Sequence, residues 1–184
     1  MRTVVRSAVL IAFSVACGYA KLLLFPYLFF VEIFTVAVFL SGSLIGVAWG
    51  AWVGAVARLA FSLANPYGPT HPWVVAAQVL GCALVGAVGG MVRPWLFRDE
   101  GEAPLGARSR TALLLAAGIA VTAIYDLLTN VAHGLTIGSV PAALALALVP
   151  SAQHIASNAA IFVIVGNLAF PWLAHHPAVV RHAA

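Results

Sequence analysis

The sequence predicts an all-α integral membrane protein: six transmembrane helices in one domain over residues 1-184, with the N- and C-termini both cytoplasmic. Three observations predict it. Hydrophobic residues make up 63% of the 184 residues, charged residues only 8%, and the mean hydropathy is +1.05. Soluble domains carry about 25% charged residues, so this composition excludes a soluble enzyme, a nucleic-acid binder and a disordered tail. The apolar residues also fall in long runs without alternation, which favours helices over the strands of a barrel. Finally, the net charge of +4 is unevenly placed along the chain, and that placement sets an orientation.

A helix crossing the hydrocarbon needs about 20 largely apolar residues. The spans run from Val4 to Phe25, Glu32 to Ile45, Val47 to Leu63, Trp73 to Val92, Thr111 to Val131 and Ser151 to Leu173. The second and third are short, which implies tilt or local thinning of the bilayer. Leu135 to Val149 is apolar but interrupted by Gly138, Pro141 and Pro150, and reads as an outer connection holding a partial helix, with a re-entrant piece as the alternative. With the N-terminus inside, the inner segments hold Arg2, Arg6, Arg93, Arg98, Arg108, Arg110 and Arg181, and the outer ones only Lys21. That is a positive-inside pattern. Asp99, Glu100 and Glu102 make the segment from Arg93 to Arg110 a solvated cytoplasmic loop.

Arg2, Arg6, the apolar run and Ser14-Val15-Ala16 also resemble a cleavable signal sequence, with Cys17 where a lipoprotein cysteine would stand. Ser14 stands where such sites favour Leu, and cleavage would destroy the charge asymmetry, so the first span is expected to be retained. Cys17 and Cys82 both sit in apolar stretches and imply no disulfide framework.

Small residues recur at helical spacing. Ala8, Ala12, Ala16 and Ala20 lie four apart on one face of the first span. Gly46, Gly50 and Gly54 repeat the device in the third span, and Cys82, Gly86 and Gly90 in the fourth. Such stripes let helices approach closely in lipid, where no hydrophobic contrast draws them together. The glycine stripes read as internal packing. The alanine stripe, on an end helix, is well placed to meet a separate protein.

Polar groups gather toward the outer ends of the spans. Ionisable groups inside a membrane are costly and normally face a cavity. Glu32 opens the second span, Arg58 lies one turn beyond Gly54, and Gln78 is near the outer end of the fourth span. Asp126, Asn130 and His133 share one face of the fifth, and His154 and Asn158 form an i, i+4 pair in the sixth beside Ser151, Gln153 and Ser157. The loop from Asn65 to Trp73, with Pro66, Tyr67, Pro69, His71 and Pro72, covers the same side, as does the aromatic loop from Phe25 to Phe30. The inner halves are nearly free of polar residues apart from Asn167. This is the profile of a solute pocket, an apolar cleft with a few placed polar groups. Plainer readings stand beside it: Glu32, His71 and His133 hydrated at the interface, Arg58 and Asp126 as a structural ion pair, and Tyr67 and Trp73 as belt aromatics.

Energy-yielding chemistry is missing. The sequence holds no phosphate-cradling Gly-x-x-x-x-Gly-Lys-Ser/Thr loop and no His-Glu-x-x-His. His71, His133 and His154 match no standard zinc spacing, His175-His176 is at most a weak metal site, and no serine nucleophile with its base can be assembled. A small membrane protein with a one-sided pocket and no motor suggests a binding subunit that draws its energy from partners.

On these residues the chain resembles the substrate-binding S component of an energy-coupling factor (ECF) transporter. The likeness covers Val31-Glu32-Ile33-Phe34 through Gly46 to Ala51, on to Ala64-Asn65-Pro66-Tyr67-Gly68-Pro69, and Tyr125-Asp126-Leu127-Leu128-Thr129-Asn130. The resemblance implies a multi-pass protein of the bacterial inner (cell) membrane that takes up a vitamin-like small molecule, without catalysis or a resident cofactor. A membrane coupling protein and two cytosolic ATPases would supply the energy. Ala8, Ala12 and Ala16, with Ala20, would dock on the coupling protein. Glu32, Arg58, Tyr67, His71, Trp73, Gln78, Asp126, Asn130, His133, His154 and Asn158 would surround the solute. Gly68-Pro69 followed by Pro72-Trp73 is most similar to the cobalamin-type members; riboflavin, queuosine precursors and other ring-bearing micronutrients are further options. Nickel and cobalt members begin Met-His, from which Met1-Arg2-Thr3 departs. Rival readings are a structural scaffold of the MreD-like kind and a small lipid-modifying enzyme using Asp126 and His154.

Overall fold

The computed structural model describes residues 2–24, 31–65, 68, 70–97 and 105–174. Tyr67 lies outside the described residues, as do Pro66 and Pro69, Phe25 to Phe30, Arg98, Asp99, Glu100, Glu102, His175, His176 and Arg181. The described residues form six helices and no strand: α1 (Arg2–Leu24), α2 (Ile33–Ile45), α3 (Val47–Leu63), α4 (Pro72–Leu96), α5 (Ala107–Thr136) and α6 (Val140–Ala174). Four of them, α1, α4, α5 and α6, are long and apolar enough to cross a membrane. The 13 residues of α2 and the 17 of α3 reach only about 20 and 25 Å, short of a hydrocarbon core of about 30 Å.

The short α2 is the centre of the bundle. It packs against α1, α3, α4 and α6, and its whole first half from Phe34 to Phe39 is buried. Phe39 stacks obliquely on Phe162 of α6 at 4.9 Å between ring centroids. A helix sheathed in this way meets little lipid, so its length need not match the bilayer.

Glycines set how closely the backbones approach. A Cβ built on Gly42 would fall 1.9 Å from the carbonyl oxygen of Gly86, and one on Gly50 would fall 2.5 Å from both that oxygen and the Gly42 Cα. Here three backbones, of α2, α3 and α4, touch at a single point. The contact continues along α4, where Cys82 meets Gly54, Gly89 meets Phe39, and Gly90 meets Gly46 and Val47. The two glycine stripes expected to pack internally do so, and Gly42 and Gly89 complete them.

One residue joins α2 to α3. Gly46 has φ 90° and ψ 176°, a region essentially restricted to glycine. The two helices then run back along each other in rows counted from that turn: Gly42 beside Gly50, Val38 beside Gly54, and Phe34 beside Arg58. The third row carries a charged side chain into the bundle.

At one end of the bundle basic side chains fasten the helices. Arg93 donates to the Leu44 carbonyl near the C-terminus of α2 (2.6 Å), where a positive charge also meets the helix dipole. Arg110 Nε donates to Asn167 Oδ1 (2.9 Å), whose Nδ2 donates to Thr111 Oγ1 (2.9 Å). Asn167, the polar exception of its half, is therefore a clasp between α5 and α6. The polar groups singled out from the sequence lie toward the opposite end.

The fourth helix contains the expected span and continues past Val92 through Pro94 to Leu96. One expectation needs correcting. The stretch from Leu135 to Val149 is almost wholly helical: α5 runs to Thr136, a tight turn follows at Gly138 (φ 79°), and α6 starts at Val140 and continues unbroken through Pro150. Ser139 Oγ accepts from the Ala142 N–H (3.3 Å), and Pro141 falls in the first turn, where its missing N–H costs nothing. The residues that look like breakers are thus a turn and a helix start.

On α1, Ala8, Ala12 and Ala16 are exposed and Ala20 half-buried, while the helix turns Ser7, Ser14 and Gly18 to the bundle. The alanine stripe and the packing face are different faces.

Gly86→Ala should destabilise the protein by about 1–3 kcal/mol, because the new methyl meets backbone that cannot yield. Thermal unfolding in detergent reads this directly. Gly106→Ala, where a Cβ meets open space at φ -57° and only a favourable N-cap residue is lost, should lower the midpoint far less.

Candidate functional site

The last turns of α5 and the first half of α6 form the walls of a cleft of about 360 Å³. On α6, Ala143, Leu146, Ala147, Pro150, Ser151 and His154 recur at helical spacing and line one side. Asp126, Thr129, Asn130 and His133 line the other from α5, and Glu32 closes it from the start of α2. Asn130 Nδ2 donates to Ser151 Oγ (3.3 Å) and ties the two walls together.

Beneath the cleft a chain of hydrogen bonds joins three helices. Asn158 is fully buried, and its Oδ1 accepts from the Glu32 backbone N–H (3.3 Å). Its Nδ2 lies 3.0 Å from His154 Nε2 and donates to Thr122 Oγ1 (3.3 Å). His154 Nδ1 lies 2.8 Å from Asp126 Oδ1. The roles in this chain follow from its fixed end. A backbone N–H can only donate, so the Asn158 amide must turn its oxygen to Glu32 and its nitrogen to His154. His154 Nε2 then accepts, and Nδ1–H donates to Asp126. Asp126 Oδ2 is buried with no hydrogen-bond partner among the described residues.

Glu32 is held from its own helix, where Thr35 Oγ1 donates to Oε2 (2.7 Å). The carboxylate sits at the N-terminus of α2, a favourable place for negative charge. Behind it lies a smaller cavity of about 100 Å³, lined among others by Lys21, Phe34, Arg58 and Phe61. Arg58 is 9% exposed and its Nε is buried without a hydrogen-bond partner among the described residues. Its guanidinium carbon lies 5.7, 5.5 and 5.6 Å from the ring centroids of Phe34, Phe61 and Tyr125. Aromatic faces of this kind stabilise a cation whose water has been removed.

Of the residues expected to surround a solute, Glu32, Asp126, Asn130, His133 and His154 come together in the cleft, and Asn158 supports them from below. Four others stand elsewhere. Arg58 is behind Glu32 in the smaller cavity, and the ion pair with Asp126 is not formed, because His154 takes that carboxylate. Gln78 accepts from Ser62 Oγ (3.2 Å) between α3 and α4. His71 is the N-cap of α4, its Nδ1 facing the Trp73 N–H at 3.4 Å, and Trp73 is largely exposed. Tyr67 lies outside the described residues. Sequence reading missed Thr122, Thr129 and the apolar wall at Ala143, Leu146, Ala147 and Pro150. The four-residue recurrence of small and apolar residues from Ala143 to Ser151 was the available signal. Among the described residues no group of three or more His, Cys, Asp or Glu could hold a metal ion.

Asn158→Leu should cost about 1–3 kcal/mol for each buried partner it strands, at Glu32, Thr122 and His154, and lower the thermal midpoint more than His154→Ala at the half-buried cleft floor. Thermal unfolding of both variants side by side tests the ranking. Comparison with family models, with curated proteins and with solved structures finds no match, so the site is read from its own geometry.

Proposed function

We propose that the chain is the membrane-embedded solute-binding subunit of an uptake system of the energy-coupling factor type. It would cross the bacterial inner membrane six times with both termini in the cytoplasm. The observation that carries this reading is the cleft. Within an apolar bundle, polar side chains from α2, α5 and α6 meet around one cavity near one end. Intramembrane polar groups are costly, and their convergence on a cavity is the usual mark of a solute pathway or site. The charge pattern supports an outward-facing cleft, because Arg93 and Arg110 lie at the opposite end of the bundle.

The cleft volume speaks to size. About 360 Å³ falls within the range of small-molecule pockets and suits a solute of one or two rings. A corrinoid exceeds it, so the smaller ring-bearing micronutrients fit this cavity better than cobalamin. The exposed alanine stripe supports the second half of the reading. Ala8, Ala12 and Ala16 offer a flat, small-residue track on a lipid-length helix, and none of them is needed to hold α1 in the bundle. A membrane coupling protein with two cytosolic ATPases would engage there, leaving this subunit to bind and release.

Native mass spectrometry of the protein purified gently from a rich-medium host should show a bound species of vitamin mass. That species should be absent from folded Asp126→Ala and His154→Ala variants. A wild-type protein that stays empty when offered a vitamin panel would overturn the reading. The paired substitution of Ala12 and Ala16 by Trp should abolish co-purification with the coupling protein without moving the thermal midpoint. Complex formation that survives it would place docking elsewhere.

A further inference from the structure

Resting on that reading, we infer that the solute is an organic cation, presenting a positively charged N–H group to Asp126. The charge balance of the site carries this. Glu32 and Asp126 are both carboxylates lining the cleft, and among the described residues neither Lys nor Arg lines it. Glu32 has its counter-charge on the far side, where it shares the smaller cavity with Arg58 and Lys21. Asp126 has none. Its neighbour His154 is held by Asn158 as an acceptor at Nε2, and an imidazole that accepts at one nitrogen while donating at the other is neutral.

Asp126 is therefore a carboxylate 8% exposed, with one oxygen bonded to a neutral ring and the other, Oδ2, buried with no partner among the described residues. A buried charge in that condition calls for a counter-ion. The cleft supplies the remaining contacts such a ligand needs. Thr129, Asn130 and Ser151 offer hydrogen-bonding edges, and Leu146 and Pro150 offer an apolar surface for the body of the molecule. A neutral solute would leave Oδ2 uncompensated, and an anion would be repelled by the Asp126 carboxylate. The ligand class is then a compact protonated amine, amidine or basic heterocycle.

The matched trio benzamidinium, benzamide and benzoate share one shape and differ in charge. Titrated into the purified protein in nanodiscs and followed by saturation-transfer NMR, benzamidinium should bind about tenfold or more tightly than either analogue. Asp126→Asn, which keeps the shape of the side chain and should keep the thermal midpoint, should lose that preference. Glu32→Gln should weaken benzamidinium less, since Glu32 is already balanced by Arg58. Equal or better binding of benzamide or benzoate, undiminished benzamidinium binding to Asp126→Asn, or no binding by any of the three would overturn the inference. The two levels are separable. A neutral or anionic solute co-purified with the wild-type protein would sink the charge assignment while leaving the solute-binding reading intact, and a protein empty under all conditions would sink both.

Discussion

Three helix backbones meet at Gly42, Gly50 and Gly86, closer than any side chain would allow, and the positions of the other helices follow from that contact. In lipid the helices gain little from burying apolar surface, because the alternative environment is equally apolar. What remains is the close approach of backbones and the dispersion contacts that it brings. The glycine node supplies these for α2, α3 and α4, and α5 joins by laying the Tyr125 ring over Gly81. Phe162 of α6 then fits against Gly118 of α5 on one side and Phe39 of α2 on the other. Small residues placed at the contacts decide the packing, and large ones fill what is left.

The polar cleft depends on this scaffold for its geometry. Asn158 reaches the Glu32 backbone only because α6 is held against the beginning of α2. That bond settles the orientation of the amide, the amide settles which nitrogen of His154 accepts, and His154 in turn occupies one oxygen of Asp126. Each member fixes the next, so this chain of three side chains has few alternative arrangements. Arg58 is governed by the same framework from the other direction. Its place on α3, one helical row past Gly54, delivers the charge into a ring of aromatics behind Glu32.

Much of this was legible in the sequence. The apolar runs located six helices, and the four-residue glycine spacing marked which faces would touch. The polar residues Glu32, Asp126, Asn130, His133, His154 and Asn158 were identifiable because charge and amide groups are conspicuous in an apolar helix. What could not be read was which polar groups would face one another. Arg58 and Asp126 look like a pair by charge, yet histidine takes the carboxylate and aromatic rings surround the arginine. Gln78 is no less polar than Asn158, but its helix turns it toward Ser62. The helix over 140–149 was hidden for a local reason. Gly138, Pro141 and Pro150 signal a break in isolation, while a serine cap and the register of the first turn convert them into a start. That stretch supplies Ala143, Leu146 and Ala147 to the α6 side of the cleft, so the least legible segment is also one of the most consequential.

The turn at Gly46 has a bearing on how this part of the chain can vary. Every contact row between α2 and α3 is counted outward from it, so facing residues stand at equal distances along the chain from Gly46. One residue gained or lost on either side would rotate all that follows by about 100° and bring side chains onto the glycine faces. The distance along the chain from the carboxylate at 32 to the guanidinium at 58 is therefore a fixed quantity of the architecture. Changes in length are confined to the connections outside the α2–α3 pair, and within it only side-chain identity is free to change.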